Sequence, residues 1–331
     1  MSLKYDPEYL KLLTPFLPLL STLPKPPIHD IPAHREHFSK LLHPLHASLP
    51  FPPFITKRVH RIPSYDGVEI EIIELAPQPM QTLGGNPAIL HAHSGGMICG
   101  SASTFEKTSA RIALETMILT FSVNYRLAPE NPHPTPVEDV FAGLKWLQAH
   151  AARRFGVNPG RICLFGESSG AGIAAGVALL ARDRRMEPPL AKQVLVYPML
   201  DNRTVVGNGE EDKELSPFLS WSYADNTTAW SALLGGTASQ NYDETKIQGL
   251  QYASPARAET LKGLPDTYID VGGLDLFRDE CIAYAQRLVR DGVNVEFHLY
   301  PGVPHGFEAL GDEVGVVKRA RANRVAAFKK V

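Results

Sequence analysis

The run GESSG at residues 166–170 constrains the fold more than any other feature of this sequence. It follows a short apolar stretch at residues 161–165 and precedes a run of small residues with helical periodicity. A serine at the apex of so sharp a strand-to-helix turn has a strained backbone, and side chains two residues before and after it would collide. Gly166 and Gly170 meet this requirement, so the run predicts a nucleophile elbow.

Two adjacent serines compete for the apex of this turn. Only Ser168 has a glycine two residues away on both sides, which Ser169 lacks. The helix that follows would point its N-terminal N–H groups at the reacting centre. We therefore predict Ser168 as the nucleophile and Ser169 as a backbone N–H donor.

Strand and helix patterns alternate from residue 57 onward. The segments KRVHRIP and GVEIEIIEL, joined by SYDG, predict a hairpin. Apolar runs follow at residues 88–93, 118–123, 162–165, 193–197, 267–271 and 295–299, and helical patterns lie at residues 105–116, 137–154, 171–184 and 278–291. Because the runs are continuously apolar, we predict an α/β fold with a mostly parallel sheet covered on both faces.

Two segments break this alternation, residues 1–55 and residues 201–254. The first contains two short helical patterns separated by TLPKPP, and the second contains a polar loop and aromatic residues at helical spacing. We predict that they form a helical cap (lid), and that residues 56–200 and 255–331 form the catalytic domain. Candidate pocket-wall residues are Phe16, Leu17, Leu20, Trp221, Tyr223 and Trp230, although packing between cap helices explains each of them equally well.

A serine nucleophile needs a base that accepts its proton and a third group that orients the base. Chain order Ser, Asp, His is expected after such an elbow. Asp275 lies in the loop GGLDLFRDE after the strand PDTYIDV, and His305 lies in the loop PGVPHGF after the strand VEFHLY. Both loops follow the carboxyl ends of predicted strands, where sites form in such sheets. We predict Ser168, Asp275 and His305 as a catalytic triad.

Other acids near Asp275 have structural explanations. Asp279 and Glu280 open the next helix, where the helix dipole favours acids. Asp266 begins its strand at the wrong end, and Asp270 lies within it. A glycine-rich turn, HSGG at residues 93–96, follows the strand PAILHAH and predicts N–H donors to an oxyanion, with Ser169 as a further donor.

Composition excludes several classes of partner. The formal net charge of −2 gives no electrostatic reason to bind nucleic acid or an anionic membrane, and the basic clusters at residues 182–185 and 318–324 are interpreted as solvated helix faces. Cys99, Cys163 and Cys281 are an odd number without metal-ligand spacing, which indicates a reducing compartment. With no signal peptide and no stable membrane insertion in the pattern, we expect a cytoplasmic protein.

Four histidines at positions 34, 37, 43 and 46 include two pairs with i, i+3 spacing. No cysteine lies nearby, and Pro44 interrupts the pattern, so we predict no metal site here.

Five motifs in order resemble those of the hormone-sensitive-lipase-like branch of the α/β hydrolases, also called the HGGG esterases. They are HSGG, NYRLAPENPHPTPVEDV at residues 124–140, GESSG, DLFRDE and HGF. The resemblance implies an α/β-hydrolase fold with an eight-stranded, mostly parallel sheet under a two-part cap. It also implies a carboxylesterase that acts on short- or medium-chain acyl esters without a cofactor.

The same resemblance assigns residues to roles. Ser168, Asp275 and His305 map onto the family triad. Ser94, Gly95 and Ser169 map onto the oxyanion-hole donors, and His93 would hold the loop in shape. In YRLAPE, Tyr125, Arg126 and Glu130 look structural, tying together the loops behind the site.

Two departures from the family pattern stand out. Ser94 replaces a glycine of HGGG, where a positive φ would now cost energy. Glu167 and Ser169 replace the acid and the alanine of GDSAG. The related GESAG of type-B carboxylesterases belongs to much longer chains that lack YRLAPE and DLFRDE, so that branch is rejected.

Two alternatives to the ester hydrolase stay open. The fold also serves as a non-catalytic small-molecule receptor, although such receptors have lost the histidine that His305 provides here. The same triad could act on an amide, a carbamate, a lactone or a secondary-metabolite acetate, because the cap and pocket walls choose the substrate. We expect the last predicted strand, residues 293–300, at a sheet edge, where it could pair with a copy of itself in a homodimer.

Overall fold

A computed structural model describes residues 3–79, 84–207, 212–236 and 243–331, without the side chains of Ser21, Leu42, His43 and His46. It contains an eight-stranded sheet in the order β1-β2-β4-β3-β5-β6-β7-β8. The strands are β1 Ile55–Pro63, β2 Glu69–Pro77, β3 Asn86–Ala92, β4 Leu119–Asn124, β5 Val157–Glu167, β6 Lys192–Val196, β7 Asp266–Leu274 and β8 Val295–Pro304. β2 runs antiparallel to β1 and β4, and the other neighbours are parallel, which confirms the predicted sheet.

The hairpin forms where SYDG predicts it. The Asp66 carboxylate accepts a hydrogen bond from the N–H of Val68 at 3.1 Å, and Gly67 has φ +84°. The turn therefore uses an Asx side chain and a left-handed glycine, as its composition suggests.

The helices are α1 Pro7–Leu13, α2 Leu17–Thr22, α3 Ile31–Ser48, α4 Glu106–Thr116, α5 Thr135–Phe155, α6 Ser169–Asp183, α7 Tyr223–Leu233, α8 Leu250–Ala253, α9 Arg278–Arg290 and α10 Gly315–Lys329. Every residue of β6 is buried, and so is every residue of β4 before Asn124. Burial along whole strands requires cover on both faces of the sheet, so the continuous apolar runs were interpreted correctly.

The two predicted cap segments contact each other. The N–H of His29, between α2 and α3, donates to Thr228 Oγ1 of α7 at 2.9 Å, and His34 Nδ1 of α3 lies 3.4 Å from the Asp225 carboxylate. Trp230 is fully buried and Tyr223 nearly so, which favours packing as their role. The division into cap and catalytic domain stays a prediction. Of the proposed histidine group, the side chains of residues 43 and 46 lie outside the described part of the chain.

The interpretation of residues 318–324 as a solvated face was wrong for two arginines. Arg324 has 13% of its side chain exposed and pairs with the buried Asp270, while Arg321 pairs with Glu115 and Asp312. The helical spacing alone could not reveal this, because Glu115 lies 206 residues from Arg321 and Asp270 lies 54 residues from Arg324 in the sequence.

Candidate active site

The elbow at the end of β5 has the strained geometry that the glycines predict. β5 ends at Glu167, α6 begins at Ser169, and Ser168 between them has φ 56° and ψ −123°. A Cβ on Gly166 would lie 2.3 Å from the carbonyl carbon of Gly170, and one on Gly170 would lie 2.1 Å from the Ala92 carbonyl oxygen. No side chain fits at either position, so the two glycines are steric requirements.

The structure brings together the three side chains predicted as a triad. His305 Nε2 lies 2.9 Å from Ser168 Oγ, and His305 Nδ1 lies 2.8 Å from Asp275 Oδ2. The other carboxylate oxygen of Asp275, which is fully buried, accepts from the N–H of Phe277 at 2.9 Å. Because an ionised carboxylate only accepts, Nδ1 carries the ring proton and Nε2 is free to accept the serine proton.

The competing acids occupy the structural positions that the sequence indicates. The Asp279 carboxylate accepts from Arg278 Nε at 2.7 Å. The Glu280 carboxylate accepts from the Leu200 N–H at 2.6 Å and from Thr204 Oγ1 at 2.6 Å, and burial raises the pKa of Glu280 well above its ordinary value. Glu280 therefore fastens the loop that follows β6.

The turn after β3 carries N–H groups with no internal partner. Among the described residues, no hydrogen bond leaves the N–H of Ser94, Gly95 or Ser169, and that of Gly96 is equally unbonded. The positive φ angles of the turn fall on Gly95 (124°), Gly96 (62°) and Met97 (63°), and not on Ser94. Serine at position 94 therefore adds no backbone strain to the turn.

His93 stabilises this turn from behind. Its buried ring stacks on Tyr125 with centroids 4.1 Å apart, and its Nδ1 donates to the Ser94 carbonyl at 2.8 Å. The Tyr125 hydroxyl donates to the His93 carbonyl at 2.8 Å. Burial lowers the pKa of His93 to about 3, so the ring is neutral at pH 7 and acts as a fixed spacer.

The YRLAPE segment connects loops behind the site. Arg126 pairs with Asp139 at 2.8 Å and with Asp66 at 2.7 Å. Glu130 pairs with Arg35 of α3 at 2.7 Å, and Arg35 also donates to the Ile98 carbonyl at 2.8 Å. Arg35 was missed from the sequence because nothing in its local pattern marks a partner 95 residues away.

Sequence reasoning also missed the contacts that surround His305 and the oxyanion turn. Ser220 Oγ donates to the His305 carbonyl at 2.8 Å. The next residue, Trp221, places its ring 2.6 Å from where a Cβ of Gly96 would lie, and its Nε1 donates to Asn226 at 3.1 Å. The segment before α7 therefore lies between the histidine loop and the oxyanion turn.

Comparison with known proteins identifies relatives of the same fold. A family described by the alpha/beta hydrolase fold matches residues 89–309, more than half of the chain. Esterase LipI of Mycobacterium tuberculosis is 32% identical over 245 residues, covering 74% of this chain and 73% of LipI. Neutral cholesterol ester hydrolase 1 of Mus musculus is 27% identical over 295 residues, covering 73% and 72%. The structure of a bacterial heroin esterase, 33% identical, superposes with a TM-score of 0.85 over 99% of this chain and 98% of that one.

The fold, the elbow and these relatives define the class of α/β hydrolases, and the chain belongs to that family. Within it, the chain is a member of the hormone-sensitive-lipase-like branch and a carboxylic ester hydrolase. The expected family branch and the expected ester-hydrolase activity are thereby confirmed. No helix among the described residues is long and apolar enough to cross a membrane.

Proposed function

We propose that Ser168, His305 and Asp275 are the catalytic residues of this ester hydrolase. The contact of 2.9 Å between Ser168 Oγ and His305 Nε2 carries the proposal. Ser168 attacks the acyl carbon while His305 takes its proton, and the same proton then passes to the leaving alcohol. His305 next activates water, which releases the acid from the acyl-enzyme. Asp275 holds the imidazole in the required tautomer and stabilises its charged form.

The oxyanion that forms in each step needs donors at the turn after β3 and at the start of α6. We propose the N–H groups of Ser94, Gly95 and Ser169, which are unbonded among the described residues. The N–H of Gly96, in the same turn, makes no hydrogen bond within the described part of the chain and is a further donor. Each well-aimed donor contributes about 3 kcal/mol of transition-state stabilisation.

The substrates proposed are esters with short- to medium-chain acyl groups. Trp221, half-buried beside Gly96, would occupy space next to the oxyanion turn and so limit the length of the acyl chain. The proposed chemistry uses only groups of the chain, so we propose no cofactor and no metal.

The direct test is hydrolysis of p-nitrophenyl esters from acetate to palmitate. If the triad acts as a unit, Ser168→Ala is expected to lower turnover by roughly a million-fold. Ser103→Ala, which changes an exposed serine, is the matched control and should behave like the wild type. Full activity in Ser168→Ala would exclude the mechanism.

Two further assays, of ligand binding and of amide and lactone hydrolysis, separate the two alternatives. Binding of an ester that is never turned over by the folded wild type would favour a receptor of the same fold. Turnover of aryl amides or lactones by a Ser168-dependent reaction, without turnover of esters, would favour the same triad acting on another bond.

We further propose a cytoplasmic location and a homodimer. Cys99, Cys163 and Cys281 are all unpaired thiols buried in the fold, which suits a reducing compartment. β8 is an edge strand of the sheet, and an edge strand can pair with a second copy of itself. The small net charge supports the expectation that nucleic acid is not a partner.

A further inference from the structure

The imidazole of His305 lies between two aromatic side chains. The ring of Tyr197 contacts it at a centroid distance of 4.5 Å and an interplanar angle of 65°, and the ring of Phe277 at 5.1 Å and 85°. Both are edge contacts, which are favourable for aromatic rings. Together with the hydrogen bond to Asp275, they leave the imidazole little freedom to rotate.

Tyr197 is itself held in a costly backbone conformation. It follows β6 directly, its φ is 35°, and its N–H donates to the Asp270 carbonyl at 2.7 Å. A left-handed φ is uncommon for a bulky residue and persists only where the surroundings enforce it. The neighbouring carbonyl of Val196 accepts from the N–H of Ser168 at 2.9 Å, so the end of β6 contacts both the nucleophile and its base.

An ion-pair network from the C-terminal helix fixes the hydroxyl of Tyr197. This hydroxyl donates to Glu308 Oε1 at 2.7 Å, and the same oxygen accepts from Arg324 Nη1 at 2.7 Å. Arg324 also donates to both carboxylate oxygens of Asp270, at 2.6 and 3.0 Å. Its guanidinium carbon lies 5.5 Å from the centroid of the Tyr197 ring.

The surroundings favour a charged Glu308 and a neutral Tyr197, while burial raises the pKa of Asp270. Burial opposes ionisation of Glu308, but the charge of Arg324 and the hydroxyl of Tyr197 outweigh it, so the pKa of Glu308 lies below its ordinary value. Burial keeps the Tyr197 pKa well above its ordinary value, so its hydroxyl stays protonated and donates. Buried ion pairs often add little net stability over well-packed apolar residues, so stability is a weak explanation for retaining one here.

We propose that Tyr197, fixed by Glu308 and Arg324, is a positioning residue that keeps the His305 ring in line with Ser168 Oγ. The inference rests on the proposed catalytic role of His305. Glu308 lies only three residues after His305. Because Arg324 of α10 binds Glu308, α10 restrains both the loop that carries His305 and the ring of Tyr197. Losing the Tyr197–Glu308 contact frees the imidazole to tilt without removing any reacting group.

The test compares Tyr197→Phe and Glu308→Gln with a control on the same helix. Arg321→Lys weakens a different ion pair of α10, the one with Glu115 of α4. We measure kcat and KM separately on a p-nitrophenyl ester, together with the melting temperature of each protein. A misplacement of about 1 Å in a catalytic group can cost about 100-fold, so we expect kcat to fall about tenfold or more in both test variants. The KM of all three variants and the kcat of the control Arg321→Lys should stay near the wild-type values.

The outcomes separate a positioning role from a structural one. A kcat that stays at the wild-type value in both variants, with or without a lower melting temperature, overturns the proposal. If Tyr197→Phe does not fold, Glu308→Gln decides alone, with Glu308→Ala as a second variant that should lose more kcat than Gln. Failure of the proposed function is seen first and separately, as an inactive wild type or an active Ser168→Ala protein.

Discussion

At the scale of single residues, the elbow glycines permit a direct steric test. An alanine at Gly166 or Gly170 would place its Cβ within 2.3 Å of backbone atoms that cannot move aside. We expect each substitution to lower the free energy of unfolding by about 1–3 kcal/mol or more, the range typical of overpacking. We expect each substitution to lower activity as well. Gly84→Ala is the control, because nothing lies within 4 Å of its Cβ position. Urea unfolding curves for the three variants measure the effect, and equal stabilities would contradict it.

A second residue-scale prediction concerns acid stability. The pKa of His93 is about 3 in the folded protein, against an ordinary value of 6.5, because the ring is buried. Between these pH values the unfolded chain binds a proton that the folded chain does not. The free energy of unfolding therefore falls as pH decreases from about 6.5 towards 3.

The measurement is the unfolding free energy at pH 7 and pH 5. Between pH 7 and pH 5, the unfolding free energy of His93→Asn should fall by less than that of the wild type, even if the variant is less stable at both pH values. His150→Asn changes a half-buried histidine on α5 and should keep the wild-type loss. Identical losses in all three proteins would show that His93 titrates normally.

At the scale of secondary-structure elements, the segment before α7 gives a prediction about selectivity. Removing the indole in Trp221→Ala opens space beside Gly96. We expect preference to move to longer acyl chains, by about tenfold in the ratio of kcat/KM for octanoate over acetate, because each added methylene in an apolar pocket has an effect of this order. Trp221→Phe should give a smaller shift in the same direction. Unchanged chain-length profiles in both variants would exclude Trp221 from the pocket wall.

The elements themselves were largely predictable, and their long-range contacts were not. Each predicted apolar run is a strand, and β4 and β6 are apolar almost throughout because both faces of the sheet are covered there. The N-terminal pattern at residues 7–20, in contrast, is divided into α1, a 3-10 turn at Thr14–Phe16 and α2. Pro15 lies in the 3-10 turn and Pro18 in the first turn of α2, where a proline without an N–H is tolerated.

At the scale of the whole molecule, the edge strand β8 predicts the oligomeric state. Leu299 on β8 has 44% of its surface exposed, and we expect it to lie at an interface between two copies. Leu299→Lys should convert a dimer into a monomer, because a charge on an edge strand opposes pairing. Val289→Lys, at a more exposed apolar position on α9, is the control and should leave the dimer intact. Sedimentation velocity measures both; a monomeric wild type would end the proposal.

Some features of this protein follow from the sequence alone. The elbow and the meeting of Ser168, Asp275 and His305 could be predicted, because glycine sterics and the positions of loops after strands are local properties. Only the tertiary structure decided which distant groups surround them. Tyr197, Glu308 and Arg324 meet behind His305 because β6, the histidine loop and α10 converge there. Their contacts join residues 16 to 111 positions apart, a separation over which no sequence periodicity carries information.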